Sequence, residues 1–201
     1  MSSEVILVPG LWMPAAAMTL IARRLARAGY VTRWFGYSGR QPLEANIERL
    51  ARFVDGRPAH LVGHSMGGVL IYDTLRRHPR LATGRVVLLG APVRGCFAGR
   101  RLQANAIGRW MLGASAARWA ECEARWEGRE PLGVVAGTVP MGLGRALGAL
   151  PGENDGVVRV EETVIEGATE RVLVRQAHSM LPVSGHVAGL VQRFLDGGRF
   201  A

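Results

Sequence analysis

The chain has 201 residues, 48% apolar and 20% charged, which suits one globular domain whose core needs no disulfide staples. All 25 basic residues are arginine, set against 16 acidic ones, for a formal charge of +9. The lack of lysine excludes Schiff-base chemistry, a Ser-Lys dyad and the lysine of a phosphate-binding loop.

Met1-Ser2-Ser3-Glu4 leads straight into an apolar run, without a basic leader or cleavage site, so the expected compartment is the cytoplasm. No stretch approaches the apolar length of a membrane span. Val5 to Val8, closed by Pro9-Gly10, reads as a buried strand. Pro14 then opens a helix to about Ala28, with Met18, Ile21, Ala22 and Leu25 at helical spacing and Gly29 as its stop. Tyr30 to Phe35 is the second strand, Leu43 to Val54 a helix, and His60 to Gly63 the third strand. A helix over Val69 to Arg77 follows, then strands at Arg85 to Gly90, Leu132 to Val139 and Val172 to Val174, and a closing helix over Val183 to Leu195. Strands alternating with helices imply a parallel sheet covered on both faces. The whole of 1–201 is read as one α/β domain. Residues 96–129 break the alternation and carry three Arg-Trp pairs (Arg109-Trp110, Arg118-Trp119, Arg125-Trp126), as a helical insertion packed on the sheet or a small lid.

The most informative run is Leu61-Val62-Gly63-His64-Ser65-Met66-Gly67-Gly68, a strand that ends in G-x-S-x-G. At such a strand-to-helix reversal the serine stands at the apex in strained geometry, and the glycines allow strand and helix to close on each other. Ser65 is therefore the candidate nucleophile. It needs a base, and the chain has five histidines. His60 belongs to the wrong edge of the sheet, His64 adjoins Ser65 and should point away from its Oγ, and His78 lies at the far end of the next helix. His178 follows the sixth strand directly, at the carboxyl edge where open α/β sheets form their sites. His186, within the closing helix, is a distant second.

The orienting acid is almost as constrained, because the only aspartates are Asp55, Asp73, Asp155 and Asp196. Asp155 sits in Gly152-Glu153-Asn154-Asp155-Gly156, between the fifth and sixth strands, with Glu153 as the fallback. The order Ser65, Asp155, His178 matches one known class of triads. An oxyanion hole needs backbone donors, here the N–H groups of Met66 and of Leu11 in the turn after the first strand. Leu11, Trp12, Met66 and the Met111–Trp126 region are candidates for an apolar pocket, or else for core.

These residues resemble the α/β-hydrolase superfamily, in particular its small, nearly lidless lipase- and esterase-like bacterial members. Leu7-Val8-Pro9-Gly10-Leu11-Trp12, Gly63-His64-Ser65-Met66-Gly67-Gly68, Asn154-Asp155-Gly156-Val157-Val158 and Ala177-His178-Ser179-Met180-Leu181 fall where that family places its oxyanion loop, nucleophile, acid and base. One departure is Pro9-Gly10, where the family commonly has His-Gly. The resemblance implies a reduced, mainly parallel sheet of about six strands with helices on both faces. It also implies a serine hydrolase that cleaves carboxylic esters through an acyl-enzyme. A thioesterase or acyltransferase would use the same triad, and a non-catalytic binding module could occupy the same scaffold. No cofactor or metal is expected. The expected partner is a small acyl ester. The charge of +9 would allow weak association with an anionic membrane surface, but the scattered arginines do not suggest nucleic acid. Cys96 and Cys122 lack metal-ligand spacing and are expected to be free thiols.

Overall fold

Short apolar runs bounded by turn residues build the sheet. The computed structural model describes residues 3–56, 58–81, 83–120, 122–142 and 150–201. Its strands are β1 (Glu4–Val8), β2 (Val31–Trp34), β3 (His60–His64), β4 (Val86–Leu89), β5 (Leu132–Gly137) and β6 (Glu170–Val174). They form one sheet in the order β2-β1-β3-β4-β5-β6, and every neighbouring pair is parallel. The side-chain alternation of a strand sends Val5 and Leu7 of β1 to one face and Ile6 and Val8 to the other. Both sets are buried, so each face needs a helical layer.

On one face, α1 (Thr19–Arg27) and α6 (Gly185–Gly197) bring Ile21, Leu25, Val187, Val191 and Phe194 against Val5, Leu7, Val62, Val87 and Leu89. On the other, α2 (Leu43–Val54) and α3 (Met66–Arg77) set Ile47, Leu50, Val69 and Leu70 against Ile6, Val8, Leu61 and Leu88. Each such side chain contributes ~1.5–3 kcal/mol on burial. The expected fold class stands: an α/β sheet of six parallel strands with helices on both faces.

Several boundaries differ from the sequence expectation. Residues Ala15–Met18 form a 3₁₀ turn ahead of α1, closed by the Ala17 N–H donating to the Pro14 carbonyl at 2.9 Å. The helix after Ser65 begins at Met66, three residues earlier than its apolar spacing suggests. The pairing of β5 ends at Gly137, although the Thr138 and Val139 N–H groups still reach the carbonyls of Val174 and Gln176. The closing helix starts after Ser184, whose Oγ accepts the Val187 N–H at 3.4 Å, and His178–Val183 is a separate 3₁₀ turn containing Pro182.

Within 96–129, α4 (Phe97–Gln103) and α5 (Ala106–Leu112) precede a 3₁₀ segment over Gly113–Trp119. Trp119 and Trp126 are buried in the α2–α3 face of the core, whereas Trp110 is 68% exposed. Arg118 fastens the segment to α3, donating from Nε to Asp73 Oδ2 at 2.8 Å and from Nη2 to Oδ1 at 3.2 Å. Both cysteines are free; Cys96 is buried and caps α4, its sulfur accepting the Gly99 N–H at 3.4 Å. Among the described residues, no helix is long and apolar enough to cross a membrane.

Candidate active site

The reversal at the end of β3 places Ser65. Its φ of 53° and ψ of −125° are strained for a residue with a side chain, and such strain persists only where the surroundings over-determine it. Here the Ser65 N–H donates to the Leu89 carbonyl at 2.8 Å, and the Ser65 carbonyl accepts the N–H groups of Gly68 and Val69. The flanking glycines permit the approach. A Cβ at Gly63 would stand 2.6 Å from the Cα of Gly68, and one at Gly67 would overlap the carbonyls of Val8 and Pro9.

His178 arrives from the far side, in the turn after β6. Its Nε2 accepts the Ser65 hydroxyl at 2.9 Å, and its Nδ1–H donates to Asp155 Oδ2 at 2.7 Å. A carboxylate only accepts, so the proton belongs on Nδ1 and the lone pair faces Ser65. The other Asp155 oxygen accepts the N–H groups of Val157 at 3.0 Å and Val158 at 2.7 Å, which locks the carboxylate plane. The backbones are joined as well, since the His178 N–H donates to the Asp155 carbonyl at 2.8 Å. The structure thus brings Ser65, His178 and Asp155 into one hydrogen-bonded chain.

The alternatives lie elsewhere. His60, at the opposite edge of the sheet, accepts the Arg85 N–H through Nδ1 at 2.7 Å; His78 pairs with Glu48 at 3.0 Å; His186 is exposed on α6. Asp55 is exposed, Asp73 binds Arg118, and Asp196 accepts the Tyr30 hydroxyl at 2.6 Å. Glu153, the fallback acid, is exposed beside the buried Asp155.

Two contributors were not singled out from the sequence. Gly90 follows β4 with φ +54, and a Cβ there would stand 3.2 Å from both Asp155 Oδ2 and His178 Nδ1. Its signal, a glycine closing an apolar strand, is common to many turns. The second is His64. It points away from the Ser65 hydroxyl, as expected, but its Nε2–H donates to the His178 carbonyl at 3.1 Å. The two imidazole rings stand 4.7 Å apart. Burial, reinforced by the neighbouring His178, holds the His64 pKa well below the ordinary histidine value, so this ring is neutral.

The turn after β1 runs alongside. The Met13 N–H donates to the Gly10 carbonyl at 3.2 Å, and Trp12 takes φ 60° in the pattern of a type II turn. Gly10 lies against Ser65, where an added Cβ would be 3.2 Å from the serine Cβ. The Met66 N–H is the first of α3 and has no carbonyl within its own helix to take it. A cavity of about 590 Å³ opens beside this turn, lined by Leu11, Trp12, Met13, Tyr37, Arg40 and Trp110, among others. Trp12 is one of its walls. Of the Met111–Trp126 region, Leu112, Trp119 and Trp126 take the core alternative, the side chains of 111, 115–117 and 121 lie outside the described residues, and the preceding Trp110 lines the cavity. Among the described residues, no group of three or more His, Cys, Asp or Glu side chains is placed to hold a metal ion.

The model of the alpha/beta hydrolase family matches residues 5–195. No curated protein matches the sequence. Among solved structures, the mature lipase BlEst2 of Bacillus licheniformis is similar with a TM-score of 0.73 at 19% identity, over 96% of this chain and 90% of that one. The pyrethroid hydrolase PytH gives 0.69 at 14% identity, over 98% and 99%. YbtT, a type II thioesterase from the yersiniabactin pathway, gives 0.56 at 14% identity, over 95% and 91%. At these identities the likeness is one of fold.

Proposed function

The chain belongs to the alpha/beta hydrolase family, and from that premise we propose that it is a serine hydrolase that cleaves carboxylic esters through an acyl-enzyme. The observation that carries this reading is the unbroken hydrogen-bond chain from the Ser65 hydroxyl through His178 to Asp155, at 2.9 and 2.7 Å. In the proposed reaction His178 Nε2 takes the hydroxyl proton as Ser65 Oγ adds to the ester carbonyl. The resulting imidazolium is stabilised by the Asp155 carboxylate, which also fixes the tautomer that can accept. The N–H groups of Leu11 and Met66 are the proposed donors to the developing oxyanion, and loss of one such donor typically costs ~100–1,000-fold in turnover. Collapse of the tetrahedral adduct breaks the C–O bond, and His178 returns its proton to the departing alcohol. Water then adds to the acyl-enzyme by the same route, releasing the acid and restoring Ser65.

Thioester cleavage is the second reading. It keeps every residue in its role and exchanges an alcohol for a thiol as leaving group; the fold likeness to YbtT favours keeping it in view.

The test is release of p-nitrophenol from esters of increasing acyl length, with acyl thioesters alongside and Ser65→Ala as the control. Turnover that disappears in Ser65→Ala is expected. Labelling of wild type but not Ser65→Ala by a fluorophosphonate, with every ester untouched, would keep the nucleophile and discard the substrate class. No labelling and no turnover would leave the scaffold as a binding module.

A further inference from the structure

The cavity beside Gly10 is apolar along most of its wall, yet it carries one cation. Arg40 lines it together with Trp12 and Trp110, and the Arg40 guanidinium carbon lies 5.1 Å from the centroid of the Trp110 ring. Neither Asp nor Glu is among the residues lining this cavity, and among the described residues no carboxylate pairs with Arg40. Other arginines are employed differently: Arg33 binds Glu4, Arg77 binds Glu44, and Arg118 binds Asp73. A guanidinium lying over an indole keeps N–H donors to offer, because a cation–π contact is not a hydrogen bond and satisfies none of them. Tyr37, on the same wall, has a buried hydroxyl without a hydrogen-bond partner, and burial pushes its pKa far above neutrality, so it remains a neutral donor. The Arg40 guanidinium therefore has N–H donors that no described residue satisfies, in a cavity that reaches the Ser65 turn through Gly10, and the Tyr37 hydroxyl is a second unsatisfied donor buried within its wall.

We infer that this cavity selects esters bearing a carboxylate, with Arg40 as the residue that recognises the anionic end while Trp12 and Trp110 flank the apolar body. The Trp110 ring beside the guanidinium restrains it at the rim, where its N–H donors can meet a planar carboxylate. This inference rests on the proposed ester hydrolysis for its biological meaning, but the binding preference stands or falls by itself. It names the class of substrate, a half-ester of a dicarboxylic acid or an ester of a carboxylate-bearing alcohol.

The experiment is equilibrium binding to the Ser65→Ala protein, followed by tryptophan fluorescence, since Trp12 and Trp110 border the site. Monomethyl glutarate is compared with methyl pentanoate, and 4-acetoxybenzoate with phenyl acetate, which places the charge on the acyl side or the alcohol side. At least one charged ester is expected to bind about tenfold tighter than its neutral counterpart, as a bidentate charge-assisted contact to the exposed Arg40 allows. Introducing Arg40→Gln should bring that ratio to about one, Arg40→Lys should retain part of it, and raising salt from about 50 to about 500 mM should shrink it. A ratio near one for both pairs in the Ser65→Ala protein overturns the inference, as does a ratio that survives Arg40→Gln. Selective binding of a charged ester that wild type never cleaves would keep the site and remove the ester-hydrolysis reading instead.

Discussion

The His64 ring donates from Nε2 to the backbone carbonyl of His178 at 3.1 Å, which ties the last residue of β3 to the histidine that faces Ser65. The bond acts on the backbone, so its effect is on where the His178 ring stands and not on the proton it carries. Removing the donor in His64→Ala takes away this tie to the His178 carbonyl and leaves a space behind the ring. Turnover is expected to fall about tenfold with KM little changed, because small displacements of a catalytic group are costly. His64→Gln, which can still donate, should recover most of it. Steady-state kinetics of the two variants decide the matter, and a His64→Ala enzyme as fast as wild type would remove the positioning role.

His64 also shapes stability against pH. It is held neutral in the folded protein, while in the unfolded chain it takes up a proton near pH ~6.5. Below that pH the unfolded state binds more protons, so stability falls as pH falls. The slope reaches at most ~1.4 kcal/mol per pH unit and ends where folded His64 itself protonates. Thermal melts at pH 7 and pH 5 should show a smaller loss of Tm in His64→Gln than in wild type. Equal losses would mean that the ring is not neutral when folded.

Asp155→Asn should be more damaging than its modest change in shape suggests. The amide can donate to His178 Nδ1 and so favours the tautomer whose proton faces Ser65, where a lone pair is needed. By analogy with other triads, kcat should fall ~1,000–10,000-fold while the fold survives, since Oδ1 can still accept from Val157 and Val158. Circular dichroism paired with turnover separates this from unfolding.

The legible parts of this chain are those whose signal is local. The apolar runs at Val5 and Val86 announce strands, and Gly63 and Gly67 frame Ser65 within five residues. Asp155 and His178 are readable for a different reason: with four aspartates and five histidines, few positions fall at the carboxyl edge of the sheet. What escapes is contact between remote segments. The His64–His178 bond spans 114 positions and ends on a main-chain carbonyl, which no residue identity reveals. Gly90 matters only because Asp155 and His178 converge beside it. That Trp110 reaches the cavity is equally hidden, because α5 and the Gly36–Arg40 loop meet only in three dimensions.

Trp12 sits at φ 60° in a turn position that favours glycine, which costs on the order of 1 kcal/mol for a side-chain-bearing residue. Trp12→Gly removes that strain but enlarges the conformational freedom of the unfolded chain, so Tm should move by only a few degrees in either direction. Substrate affinity should behave otherwise. Trp12 is 57% exposed and walls the cavity beside Ser65, so its loss is expected to raise KM for apolar esters several-fold. A large fall in Tm with unchanged KM would assign the indole to structure and not to the pocket.

The segment 96–129 is fastened at its centre by Arg118, which reaches Asp73 on α3 through two bonds and the Val93 carbonyl at 2.9 Å through a third. The side chains of this pair are only 14% and 11% exposed, so removing Arg118 strands a largely buried carboxylate. Arg118→Ala is expected to cost ~2–3 kcal/mol, or about 5–10 °C in Tm for a chain of this size. Trp119, adjacent in sequence and packed in the core, would lose its anchor at the same time. A segment held in this way is expected to stay in place during turnover. Hydrolysis of a short-chain triglyceride should therefore rise smoothly through its solubility limit, without the jump that marks a mobile lid. A jump in wild type, retained or enlarged in Arg118→Ala, would show that the segment moves despite this clamp.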